Sequence, residues 1–356
     1  MSPLYDRVLR YIDDPGATSF EELALEVFAH QFAACEPYRR FCVARARTPD
    51  CVRRWADVPA VPIQAFKVAD LCCGPPQRTF LSTGTTEGPD KRSRHRLPDP
   101  RLYRRSALAG LRTFLFPDVV RMKLISLVPP PAETPDSSLA QMVAWAMDWF
   151  GDDESAYAVG PDGLDVEHFC SLLGEAETSG RLACVMTTTG ALIRALDALA
   201  QRRRRFRLPH GSRLMDTGGD KGAPRPLSRN GLLHACWNTL AIPGYFAVNE
   251  YGMAELSSQF YDNVVAERFR GRHVRRHKAG PHWVRSLVLD ASTLRPVEPG
   301  ARGLLCHFDL ANAGSAMAVL SEDVGRASGD GFELLGRAAG AETRGCSLGA
   351  AEWNAA

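Results

Sequence analysis

From residue 79 onward the chain alternates short apolar runs with longer amphipathic ones, and this alternation constrains the fold more than any other feature. RTFLS (78–82) reads as a strand and SRHRL (93–97) as its returning partner. Asp99 then offers an N-cap with Pro100 at the first helical position, which predicts a helix to residue 115. RMKLISLV (121–128) has the composition of a buried strand and runs into three prolines, and DSSLAQMVAWAMDWF predicts a helix starting at Asp136. LACVMTTTG (182–190) reads as strand and turn. The stretch after it, GALIRALDALAQRRRRF, puts Leu192, Leu196 and Leu199 on one helical face. SRLMDTGG, YFAVNEYG and SLVLD are further short strands. Strands and helices in this order predict an α/β fold.

The pattern changes at both ends. Residues 1–58 read as helical: Thr18 and Glu21 have capping-box spacing, with Phe20, Leu23, Val27 and Phe28 at helical intervals behind them. The prolines of DVPAVPIQAF (57–66) end that pattern. After residue 283 come short strands and turns (VRSLVLD, RGLLCHFDL, MAVLSEDVG, GFELLGR). The expected organisation is an N-terminal helical segment (1–58), an α/β core (59–282), a small β-rich subdomain (283–337) and a short C-terminal tail (338–356).

Composition narrows the class. A chain of 356 residues, 45% hydrophobic and 24% charged, is long enough for a large core. A net charge of +2 favours neither a nucleic-acid nor a membrane partner. No apolar run reaches the roughly 18 residues of a membrane span. The start, MSPLYDRVLRYIDD, lacks the apolar stretch of a signal peptide, so a cytoplasmic protein is expected. The ten cysteines form no C-x-x-C pair; they read as small buried hydrophobes, the adjacent Cys72 and Cys73 included. Two basic runs, RRRRFR (202–207) and ERFRGRHVRRHK (267–278), are either solvated surface or a docking patch for an acidic partner. Neither sits in a nucleic-acid-reading motif.

Chemistry concentrates in a few stretches. In TFLSTGTTEGPDK (79–91), the hydroxyls of Ser82, Thr83, Thr85 and Thr86 and the backbone around Gly84 suit anionic oxygens. The pattern G-x-x-x-x-G-K-[ST] is absent, so this is a phosphate loop of another architecture. MDTGGDKG (215–222), NEYGMAEL (249–256), SEDVGR (321–326) and FELLGR (332–337) follow. Each alone is a common turn or strand end; their order and spacing carry the information.

That order resembles the adenylate-forming superfamily of acyl-CoA synthetases, luciferases and peptide-synthetase adenylation domains. More narrowly, VPIQAFK, STGTT, TGGDKG, YGMAEL and RGCSL resemble the LuxE acyl-protein synthetases, with phenylacetate-CoA ligase a close relative, from about residue 55 onward. The resemblance implies an adenylate-forming large domain with a small β-rich subdomain, ending in a truncated C-terminal tail in place of the usual C-terminal domain. It implies ATP and Mg²⁺. Ser82, Thr83, Gly84, Thr85 and Thr86 would then hold the β- and γ-phosphates, and Gly218 and Gly219 would line the adenine pocket. Tyr251 would stack on the base, with Gly252 and Met253 completing the nucleotide set. Glu255 would help bind Mg²⁺, Asp323 would accept from the ribose, and Arg337 would sit near the ribose at the end of the large domain.

The implied activity is activation of a carboxylic acid, a fatty acid by resemblance, to an acyl-adenylate. Transfer to Cys346 as a thioester would follow, serving an acyl-acceptor protein such as a reductase. An alternative is direct transfer to CoA, a carrier protein or an amine; another is a non-catalytic nucleotide-binding scaffold. The chain departs from the superfamily pattern in three places. Glu87 stands where a small residue is usual, and Asp90 stands where lysine follows the proline, with Lys91 one place late. Only 19 residues follow Arg337, none a lysine, so the role of the superfamily's C-terminal lysine would fall to Lys221, Lys91 or a partner protein, or be absent.

Overall fold

ACVMTT is apolar on both faces, the composition of a strand in the interior of a parallel sheet, and Ala183–Thr188 is such a strand. The protein, represented by a computed structural model, is described for residues 2–82, 92–160, 162–219, 227–339 and 353. It divides into two compact units: residues 1–109, 253–259 and 277–356 form the first, and residues 110–252 and 260–276 the second.

In the second unit the sheet runs Ala156–Tyr157, Lys123–Ser126, Ala183–Thr188, Arg213–Thr217, Ala247–Tyr251, Phe260–Asp262. All neighbours are parallel except the last pair. Helices Ser138–Phe150, Val166–Ser179, Thr189–Gln201 and Arg229–Leu240 connect the strands, and each is started by a capping side chain. Ser137, Asp165, Thr188 and Ser228 accept from the amides of Ala140, His168, Ala191 and Gly231 at 2.9–3.2 Å. The helix expected from Asp136 therefore begins at Ser138, because the Ser137 hydroxyl is the cap.

The first unit is built on an antiparallel sheet in the order Val284–Leu289, Arg302–Asp309, Ala318–Ser328, Gly331–Arg337, Lys278–Ala279. Val61–Pro62 adds parallel to Ala318–Ser328. Strands Arg78–Leu81 and Arg94–Leu97 form the expected antiparallel hairpin, followed by the helix Pro100–Phe114. Helices Pro3–Asp13, Phe20–Ala34 and Glu36–Ala44 belong to this unit as well. Gln31, fully buried on the second of them, donates to the carbonyls of Asn312 and Ala313 at 3.0 and 3.2 Å and accepts from Met317 N at 3.1 Å. One amide thus fastens the N-terminal helices to the loop at 310–317.

Two local readings need correction. The cap of Phe20–Ala34 is Ser19, which accepts from Glu22 N at 3.1 Å, while Thr18 spends its hydroxyl on the Glu22 carboxylate at 2.9 Å. Cys72 and Cys73 are half-buried beside Gly74 and Ser315 instead of filling a core.

Candidate active site

The hairpin is closed at its open end by two serines. Ser82 N donates to Ser93 O at 3.0 Å, and Ser93 N donates to Ser82 Oγ at 2.9 Å. Arg92 adds a bond from Nε to Ser82 O at 2.5 Å. This clamp fixes where the hydroxyl-rich loop leaves and re-enters the sheet. Thr83, Gly84, Thr85, Thr86, Glu87, Asp90 and Lys91 lie outside the described residues.

The clamp reaches Glu255. The Ser93 hydroxyl hydrogen-bonds the Glu255 carboxylate, and both residues are buried in the first unit. Burial raises the Glu255 pKa, while the Ser93 bond and the charges of Arg337 and Lys67 pull it down. Lys67 belongs to VPIQAFK, as does Gln64, whose amide bonds Glu322 at 2.5 Å. A buried carboxylate with raised proton affinity suits a hard cation, and Mg²⁺ is commonly held by one or two carboxylates plus substrate phosphates. Glu255 fits that role. Among the described residues no cluster of three or more His, Cys, Asp or Glu could hold a metal without such phosphates.

The segment carrying Glu255 has no regular ladder of its own, and side chains from elsewhere hold its backbone. Asn312 donates from Nδ2 to Glu255 O at 2.9 Å and to Ala316 O at 2.7 Å. Its Oδ1 lies 2.7 Å from His95 Nε2 and accepts from Ser257 Oγ at 3.0 Å. His95 also bonds the Ala254 carbonyl, and complete burial pushes its pKa down to about 4. Asp309 accepts from Ser257 N at 3.0 Å and from Ser258 Oγ at 2.6 Å, and burial pushes its carboxyl up to about 6. None of these three was legible as functional in the sequence, because each acts through a backbone far away in the chain. Asn312 and Asp309 carry no local motif, and His95 reads as one residue of a strand.

Asp323 and Arg337 stand directly opposite one another in neighbouring strands. Arg337 pairs with Glu322 at 3.2 Å and with Asp323 at 3.6 Å. The guanidinium remains half exposed, whereas Asp323 is mostly covered.

In the second unit, backbone does the positioning. The strand pair Arg213–Thr217 and Ala247–Tyr251 ends with Thr217 opposite Glu250, which places Gly218 and Tyr251 at adjacent strand ends. The Thr217 hydroxyl bonds the Glu250 carboxylate. Gly218 has φ +75°, and a Cβ built there or on Gly219 would meet no atom within 4 Å. Both offer bare backbone at the strand end. The turn is secured from beneath by Thr189, which donates to the Asp216 carboxylate at 2.7 Å and lies 2.9 Å from Gly218 O. Asp216 also accepts from Arg229 at 2.6 Å and from Asn249 at 3.0 Å. Tyr251 is buried with its ring 5.9 Å from that of Phe260. The chain leaves this unit at Gly252 and enters the first at Met253. Lys221 and Cys346 lie outside the described residues. Among the described residues no helix is long and apolar enough to cross a membrane.

The fold matches 2-hydroxyisobutyryl-CoA ligase in an open conformation with 2-HIB-AMP and CoA, at a TM-score of 0.62, 12% identity, 89% of this chain and 69% of that one. An ATP-bound RpMatB-BxBclM chimera matches at a TM-score of 0.50 and 14% identity, over 73% of this chain and 47% of its own. The chain therefore has the mixed α/β fold of the adenylate-forming ligases. By sequence it is 22% identical over 329 residues to the long-chain-fatty-acid–luciferin-component ligase of Aliivibrio fischeri, covering 89% of this chain and 83% of that protein. The family model for the acyl-protein synthetase LuxE matches residues 6–353. The chain therefore belongs to the LuxE acyl-protein synthetase family and is an AMP-forming ligase.

Proposed function

We propose that the chain activates a carboxylic acid, by family analogy a fatty acid, to an acyl-adenylate and passes the acyl group to Cys346 as a thioester for a partner reductase. The observation that carries the reading is the buried Glu255 carboxylate, bonded to Ser93 at the base of the hydroxyl-rich loop and facing the charges of Lys67 and Arg337. In this reading the loop from Ser82 to Thr86 holds phosphate oxygens, and Gly218, Gly219, Tyr251, Gly252 and Met253 take the nucleoside. Asp323 accepts from the ribose, and Arg337 lies beside it. Mg²⁺ bound at Glu255 would neutralise phosphate charge.

The chemistry asks for these groups. A carboxylate is a poor acyl donor because its leaving group is oxide. Attack of its oxygen on the α-phosphorus of ATP forms a P–O bond, breaks the bond to the β-phosphate and releases pyrophosphate. Negative charge spreads over the phosphoryl oxygens, and positioned donors and cations there lower the barrier. A thiolate then attacks the acyl carbon and AMP leaves. In this reading the charge of Arg344, two residues before Cys346 in the sequence, would favour the thiolate.

The test is intact-mass analysis of wild type and Cys346→Ala after incubation with ATP, Mg²⁺ and a panel of fatty and aromatic acids. Acyl mass on wild type alone supports Cys346 as acceptor. Pyrophosphate release from both proteins with no added mass on either would place the acceptor on another molecule.

A further inference from the structure

The two basic runs, far apart in the chain, belong to one unit and meet the same short element. Residues 202–207 and 267–276 hold ten arginines against one acid, Glu267, in a chain whose net charge is +2. The first run is tied to the end of helix Arg229–Leu240, with Phe206 N donating to Thr239 O at 2.8 Å and Leu208 N to Leu240 O at 3.3 Å. Three residues after Arg207, the His210 ring lies 3.2 Å from the Tyr245 hydroxyl. The Arg268 guanidinium lies 4.1 Å from the Tyr245 ring centroid, and Phe269 packs on Phe246 at 6.2 Å. Arg276 bonds the carbonyls of Gly244 and Ala247 at 2.5 and 2.8 Å, locking the turn between the runs.

The resulting face is both basic and apolar. Arg203, Arg204, Arg205 and Arg207 are exposed, and so are Tyr245 (39%), Phe269 (45%) and Val274 (46%). Some of the charge is neutralised internally: Arg202 pairs with Glu167, Arg270 and Arg272 with Glu267, and Arg276 with Asp262. Arginine interleaved with exposed aromatic rings is the composition of a protein-binding surface. A nucleic-acid site would present open rings as stacking platforms, whereas the Tyr245 ring already has Arg268 over it and packs on Phe246 at 5.1 Å.

We propose that this face docks an acidic, amphipathic segment of a partner protein. Acidic side chains complement the arginines, and apolar ones cover Tyr245, Phe269 and Val274. The face lies where strands Arg213–Thr217 and Ala247–Tyr251 begin, and Gly218 and Tyr251 lie where they end. About 17 Å of strand separates the two ends, so docking and nucleotide chemistry are separable. Identifying the partner as the acyl acceptor rests on the proposed function; the docking surface itself does not.

The experiment titrates the full-length protein with a fluorescent, glutamate-rich amphipathic helical peptide and, separately, with a single-stranded RNA of similar charge. Wild type is compared with Arg205→Glu/Arg207→Glu and with Phe269→Ser, each checked for an unchanged melting temperature. The expected result is peptide binding that weakens about tenfold or more in each variant and with added salt, with acid-dependent pyrophosphate release unchanged. Peptide binding equal in all three proteins, no peptide binding, or tighter binding of the RNA would overturn the proposal. Loss of pyrophosphate release in wild type would strike the catalytic reading and leave the docking result standing.

Discussion

Two regions carry candidate residues, one in each unit, and they are built in opposite ways. In the second unit Gly218 and Tyr251 are set by a parallel ladder: once strands 213–217 and 247–251 pair, both positions follow from register. In the first unit the backbone around Glu255 has no ladder and is held by side chains of His95, Asp309 and Asn312. Ladder hydrogen bonds are numerous and survive the loss of any one side chain. A segment held by three side chains stands or falls with each, because losing Asn312 or His95 leaves a buried carbonyl unpaired and losing Asp309 leaves a buried amide unpaired. The first unit's part should therefore be the more fragile under mutation.

The largest effect should come from Glu255→Gln, which keeps the shape and removes the charge. Acid-dependent pyrophosphate release should fall by about 10²-fold or more, the scale of losing a preorganised charge at a phosphoryl centre. The melting temperature should hold or rise, since a buried carboxylate with raised pKa is no stabilising charge. Retained activity would remove Glu255 from the site.

Asn312→Ala comes next. It strips donors from Glu255 O and Ala316 O and should cost about 2–4 kcal/mol in a denaturant titration. Any folded fraction should show a lower kcat with KM for ATP little changed. An equal rise in KM would mean that the side chain serves the nucleotide and not the Glu255 backbone.

A smaller effect concerns pH. His95 and His307 are fully buried and bind a proton only near pH 4 and 3 in the folded chain, against 6.5 for a free imidazole. The unfolded chain takes up those protons first, so stability is present above pH 6.5 and is lost as pH falls, at roughly 1.4 kcal/mol per unit per histidine. Asp309 opposes this. Its folded pKa of about 6 lies above the free value of 3.8, so its contribution is full below 3.8 and lost as pH rises through 6. Glu255, whose carboxyl pKa burial also raises, acts in the same direction as Asp309. The two histidines, joined by His30, whose pKa burial lowers as well, predict a lower melting temperature at pH 5 than at pH 7, and His95→Gln should flatten that slope. A melting temperature independent of pH would contradict the account.

The smallest effect is expected from Gly218→Ala. There is room for the methyl group, but φ +75° strains any other residue by about 1 kcal/mol. A rise in KM for ATP with kcat nearly unchanged would match a role confined to the nucleoside.

The same contrast explains what the sequence disclosed. The strands of the second unit were legible because apolar runs of five or six residues between caps have few alternatives. The motif glycines fell at their ends for the same reason. Glu255 was legible only as part of a five-motif order, since one acidic residue after alanine has no local signature. Its supports were not legible: Asn312 lies 57 positions from Glu255, and nothing near it in the chain announces its partner. Arg229 and Thr189, which secure Asp216 and Gly218, read as an ordinary helix start and a turn. The misplaced cap at Thr18 has a simpler cause. Thr18 and Ser19 both precede the apolar run, and hydroxyl chemistry alone does not choose between neighbours.

The most direct test of the central claim is isotope exchange between pyrophosphate and ATP, measured with a panel of fatty and aromatic acids. Exchange reports adenylate formation alone, without any acceptor. The account predicts exchange that requires an acid and Mg²⁺, proceeds in Cys346→Ala as in wild type, and is lost in Glu255→Gln. No exchange with any acid, or equal exchange in Glu255→Gln, would contradict it.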